Sequence, residues 1–240
     1  MLPDHQLLEA VKHGRFDEFR QAFQRGASTD AVDLDGQSAF EVAVRAGRPE
    51  LLRMLIRTPA DANPAVGKRG DQLIHLAARI GDFGCLNVLL ENGASSDARG
   101  HYGRTPLHIT SMLGGEYMAQ LLFDHHANPD ASDARGNTPL HVASQRGEFA
   151  IVKLMKKHNA SALVTNNQLY TPIHEAAANG HSGLTRWLLA QEQAVNPSKI
   201  DPSFAGRIQR VAERHGQNET AAAIVEHLDN PDESWAVPTL

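Results

Sequence analysis

The chain has 240 residues, 41% apolar and 21% charged, with a formal net charge of −5 and an isoelectric point near 6.2. Those totals suit a folded chain of one or two domains. They exclude a generic binder of nucleic acid or of an anionic membrane surface, since either needs a basic excess. The single cysteine, Cys85, excludes an internal disulfide, and no run reaches the roughly 18 apolar residues of a membrane span. Met1-Leu2-Pro3-Asp4-His5 opens without a basic segment leading into an apolar one, so the expectation is a cytoplasmic protein with no membrane insertion.

Taken in chain order, the first predicted element is a helical pair over Leu7 to Ala27, broken at Gly14. The same unit then returns with Ser38-Ala39-Phe40-Glu41, Gln72-Leu73-Ile74-His75, Thr105-Pro106-Leu107-His108, Thr138-Pro139-Leu140-His141 and Thr171-Pro172-Ile173-His174. Between the last three the step is 33 residues. Gly47, Gly81, Gly114, Gly147, Gly180 and Gly216 keep nearly the same step, and a second marker runs in phase at Gly26-Ala27, Ala60, Gly93-Ala94, Ala127, Ala160 and Ala194. A period of this size signals stacked repeats. The units fall near 4–32, 33–66, 67–99, 100–132, 133–165, 166–200 and 201–229.

Each unit has a physical reading. Thr caps a helix N-terminus because its hydroxyl accepts from an orphan backbone N–H, and Pro is tolerated next, where its missing N–H would be unpaired anyway. Glycine about nine residues later ends that helix in a left-handed cap. A second helix follows with apolar residues at helical spacing, as in Ile151, Val152, Leu154 and Met155. One such hairpin cannot bury its faces, whereas a stack of them can. Repeats 2 and 4 are expected to be less regular, since the former has Ser-Ala-Phe-Glu and the latter follows His108 with Ile109-Thr110-Ser111. The terminal units lack the tetrapeptide and read as caps. An insertion is placed around Asn196-Pro197-Ser198-Lys199.

The Thr-Pro-Leu-His segments, the alanines after them, the glycine and the later Gly-Ala resemble the ankyrin-repeat pattern from about Asp4 to Asp229. The resemblance implies an all-α solenoid in an L-shaped stack, with inner helices lining a concave face, outer helices behind and β-hairpin fingers between repeats. It also implies one domain over 4–229, a protein–protein interaction role, and histidines that hydrogen-bond the neighbouring finger. Residues 230–240 read as a flexible tail.

Chemistry is sparse. Phosphate-binding, dinucleotide, zinc-protease and nucleophile-elbow motifs are absent, so no catalytic residue, cofactor or metal is predicted. His75, His108, His141 and His174 recur once per repeat, which separates them by about 10 Å, too far to share an ion. Asp124-His125-His126 reads as a solvated helix end. Arg69-Gly70-Asp71 spells an adhesive tripeptide but falls in a finger. Trp187 reads as core, and Trp235 lies in the tail.

Partner contacts in this frame come from the finger residues before each Thr-Pro and the two residues before each glycine. Over the five internal repeats those 25 positions hold seven Lys or Arg and two Asp, in a chain with 23 basic and 28 acidic residues. The predicted binding residues are Lys68, Arg69, Arg79, His101, Tyr102, Arg104, Met112, Leu113, Arg135 and Arg146. Repeats 3 to 5 are expected to hold an acidic or phosphorylated, partly apolar protein segment, the arginines pairing its anions and Tyr102, Met112 and Leu113 packing its side chains. The alternative is that the cations are solvated and Met112 and Leu113 pack on the next finger. The chain is expected to be a monomer acting as an adaptor, inhibitor or targeting subunit. The alternatives are the regulatory ankyrin portion of a larger enzyme or channel and a bacterial effector engaging host proteins.

Overall fold

The computed structural model describes residues 2–56, 62–67 and 70–229. Within it the chain forms two compact units, up to Asn128 and from Pro129 onward. In the first, four helix hairpins follow one another: α1 (Pro3–His13) with α2 (Phe16–Gln24), α3 (Ala39–Arg45) with α4 (Pro49–Leu55), α5 (Leu73–Ile80) with α6 (Phe83–Glu91), and α7 (Pro106–Leu113) with α8 (Glu116–Asp124). Inner helices α1, α3, α5 and α7 pack in that order, with α4, α6 and α8 as a second layer. Leu7, Leu51, Leu52, Leu73, Leu86, Leu89, Leu107 and Leu122 are fully buried between the layers, and truncating any one to alanine costs about 2–5 kcal/mol.

The second unit repeats the plan with α9 (Pro139–Arg146) and α10 (Phe149–Lys157), α11 (Pro172–Ala178) and α12 (Ser182–Val195), then α13 (Pro202–Arg214) and α14 (Asn218–Asp229). Its inner layer is α9, α11 and α13. The fold is the all-α repeat solenoid implied by the sequence.

Why the tetrapeptide recurs is visible at its histidine. His141 Nδ1 accepts from the Thr138 amide at 3.1 Å, which fixes the proton on Nε2 and leaves it to donate to the Tyr170 carbonyl at 3.0 Å. One side chain therefore closes a helix start and fastens the next finger. His75 does the same, accepting from the Gln72 amide at 3.0 Å and donating towards the carbonyls of Ala98 and Arg104. Burial lowers the pKa of both histidines despite these acceptors.

Fingers are built by a different residue. Asp33, Asp133 and Asn166 each accept with Oδ1 from the amides two and four residues on, at 2.8–3.0 Å. That Asx turn closes a three-residue loop. Among the described residues, ladder pairing is confined to β1 (Ala65–Val66) with β2 (Asp71–Gln72) and a bridge between Val32 and Ser38. The other fingers are turns without strands.

Three expectations are sharpened or corrected in detail. Repeat 2 keeps a closed inner-helix start, because Glu41 supplies the acceptor that histidine supplies elsewhere and Ser38 and Glu41 form a reciprocal capping box. Its outer helix α4, however, has seven residues against nine in α6, α8 and α10, so the unit is less regular as expected. Repeat 4 keeps an unbroken inner helix, since Thr110 and Ser111 turn their hydroxyls back onto the Leu107 carbonyl at 3.0 and 2.6 Å. The insertion lengthens α12 to 14 residues, against nine for α6, α8 and α10. A tight turn at Asn196–Lys199 then leads directly to Asp201, which caps α13, so no finger precedes the seventh hairpin.

Candidate interaction face

In the first unit, predicted contact residues come from the finger 100–104 and from the C-terminal ends of α5 and α7. The finger folds through Gly100, whose amide donates to the Arg104 carbonyl at 2.9 Å. Tyr102 takes a left-handed conformation, φ 57°, and is 59% exposed, with its ring against that of half-buried His101 at 3.9 Å between centroids. Leu113 is 53% exposed and Met112 half-buried. Ile80, the equivalent of Leu113 one repeat earlier, is 44% exposed. An aromatic and two aliphatic side chains thus face water at recurring frame positions.

The cations of this unit are less available than the sequence suggests. Arg79 donates to the Asp71 carboxylate, which also accepts from the His101 amide at 2.8 Å. Burial alone would raise the Asp71 pKa, but the His101 amide and the Arg79 guanidinium outweigh it and lower the value. Asp71 is consequently committed to fastening two fingers, which removes the carboxylate an adhesive Arg-Gly-Asp would present. Arg104 is half-buried. Lys68 and Arg69 lie outside the described residues, as does Trp235.

In the second unit, Arg135 on the finger 133–137 and Arg146 at the end of α9 are both exposed. Neither has a carboxylate partner among the described residues. The Arg135 backbone carbonyl accepts from the Asn167 amide at 3.0 Å, tying adjacent fingers. The site residues therefore sort into exposed cations in the second unit and exposed apolar groups in the first, with Arg79 neutralised internally.

Other groups do structural work. Cys85 is fully buried and its thiol is pushed far up by burial and by the nearby Asp82 carboxylate, so it is no nucleophile. Trp187 is half-buried against Phe149, with ring centroids 5.4 Å apart. Among the described residues no three metal-ligating side chains converge, and no helix is long and apolar enough to cross a membrane. Sequence reasoning missed Leu169, a 77% exposed residue at a finger tip. The signal was present: the corresponding positions in the other four fingers are Gly36, Gly70, Gly103 and Gly136.

Helix hairpins of this period, capped by Thr-Pro and fastened through histidine, have counterparts in known proteins. A transient receptor potential cation channel subfamily A member 1 homolog of Caenorhabditis elegans is 33% identical over 89 residues, a stretch that covers 37% of this chain and 7% of that protein. The chain thus spans a small fraction of that relative's length. Residues 41–133 and 107–201 match the family model described as ankyrin repeats in three copies. Together the two matched ranges cover well over half of the sequence, and the chain belongs to the ankyrin-repeat family.

Proposed function

We propose that this protein is a non-catalytic adaptor, inhibitor or targeting subunit that binds an acidic or phosphorylated, partly apolar protein segment through its finger tips and inner-helix ends. Family membership supports the coarse part, since ankyrin repeats bind protein partners. The observation that carries the finer part is the exposure of Tyr102 and Leu113 at contact positions, residue types that lose water favourably when a partner covers them. Arg135 and Arg146, exposed and without internal carboxylates, supply the electrostatic half of the reading in the second unit. A monomer in a reducing, cytoplasmic setting fits a single buried cysteine.

Alanine at Arg135 and at Arg146 tests the proposal. Each variant should bind a captured partner more weakly and with a flatter dependence on salt. Unchanged affinity in both would overturn the electrostatic part.

The match to a cation-channel homolog favours a second reading, in which these repeats are the regulatory portion of a larger channel. In that case the same face would be occupied by another segment of the larger protein, and covalent crosslinks from Tyr102 would fall within one polypeptide.

A further inference from the structure

The finger 166–170 breaks a rule that its sisters obey. In the other fingers the left-handed position closing the loop is glycine, at φ 75° in Gly36, 79° in Gly70, 67° in Gly103 and 76° in Gly136. Here it is Leu169, at φ 62°. A side chain is strained in that region, whereas glycine is at ease there. Leu169 relieves nothing by packing, because it is 77% exposed. A strained, solvent-facing leucine where glycine would serve the fold better is an outlier that points to use.

Its surroundings say what kind of use. Since no finger precedes the seventh hairpin, the flank of finger 166–170 opens onto α13, and a cleft of about 520 Å³ lies between them. Arg207, Arg210 and Arg214 line it from α13, one face of the helix at spacings of three and four. All three are exposed, and among the described residues no carboxylate lines the cleft. Two acidic residues next in sequence to its lining are engaged elsewhere: Glu213 accepts from Gln209 at 2.8 Å and buried Glu175 from Asn166 at 3.0 Å. Arg207 lies over the Phe204 ring at 5.3 Å and donates to Ser203 through one nitrogen, Nη1. His174 carries the same lesson. Its counterparts His75 and His141 donate to carbonyls of the following finger, while His174 meets Phe204 edge-on at 5.6 Å and no carbonyl accepts from its Nε2 among the described residues.

We infer that the cleft between finger 166–170 and α13 is a second docking site, which takes an acidic loop of a partner protein in the place a seventh finger would fill. The loop's carboxylates pair with Arg207, Arg210 and Arg214, and one apolar side chain beside them packs on Leu169 and Tyr170. The site is distinct from the face built on Tyr102 and Leu113 and stands whether or not that face binds.

Panning a phage-displayed random 12-residue peptide library on the full chain tests this. Selected peptides should be enriched in Asp and Glu with an apolar residue among them. In fluorescence polarisation their affinity should fall at least about tenfold in Arg210→Glu/Arg214→Glu, close to 1.4 kcal/mol. Leu169→Gly should weaken binding about three- to tenfold while raising Tm by about 2–4 °C, because strain is released. That opposite movement separates a binding role from a structural one. Tyr102→Ala/Leu113→Ala should leave these peptides bound. The inference is overturned if no acidic peptides emerge, if they bind the double glutamate variant or Leu169→Gly like the parent, or if removing residues 230–240 raises their affinity severalfold. The last result would make the chain's own Asp232 and Glu233 the occupant.

Discussion

Histidine carries much of the fold at the residue scale, and it makes stability depend on pH in a predictable direction. Burial lowers the pKa of His75, His141 and His227, and that of His174 to about 4 from 6.5, with the Arg207 charge adding to the last. Between those values the unfolded chain binds more protons than the folded one, so stability is complete above about pH 6.5 and is lost as pH falls towards 4. Glu175, whose carboxyl burial raises, works in the opposite sense and offsets part of the loss. The His174 share is at most about 3 kcal/mol. Thermal unfolding from pH 7.5 to 4.5 should show a falling Tm, and His174→Gln should flatten that profile. At the helix start, Thr138→Ala should cost about 1 kcal/mol, read by urea denaturation with an unchanged m-value.

Helices and fingers, at the element scale, differ in how far the sequence exposes them. Inner helices were legible because Thr-Pro and glycine mark both ends, and α7, α9 and α11 each begin at the proline that the tetrapeptide supplies. The capped start of α3 was not, because Glu41 reads as a departure until its carboxylate is seen to accept from the Ser38 amide. The lengthened α12 was detectable only as a spacing anomaly. Its consequence is an ion pair on a buried carboxylate: half-buried Lys156 of α10 reaches Glu192 of α12, whose side chain is 5% exposed, and donates to the Ala160 carbonyl at 3.0 Å. Lys156→Ala should therefore destabilise the second unit by about 2–3 kcal/mol, since it leaves the buried carboxylate without its counter-charge and with only the Asn196 amide as donor. Lys156→Met with Glu192→Leu should recover most of that loss. Equal losses in the single and double variants would show that packing, not charge, sets the effect.

For the whole molecule, the period alone dictated the architecture, because a 33-residue unit with two short helices has no stable solution except stacking. The site was legible only in part. Tyr102, Leu113, Arg135 and Arg146, at the frame positions read as contacts, are exposed, but those positions could not reveal that Arg79 is held by Asp71, since that pairing joins residues eight apart across a helix. Nor did they flag Leu169, whose meaning lies in a comparison among fingers rather than in any one of them.

The central claim is that partners engage the finger tips and inner-helix ends, not the outer helices. Its most direct test is capture of a binding protein on three immobilised forms of the chain, each with its Tm checked: the parent, Tyr102→Ala/Leu113→Ala/Arg135→Ala/Arg146→Ala, and Tyr117→Ala on the outer helix α8, where Tyr117 is 83% exposed. The account predicts a partner held by the parent and by Tyr117→Ala but lost, in a salt-dependent manner, by the quadruple variant. A partner kept by the quadruple variant and lost by Tyr117→Ala would contradict it.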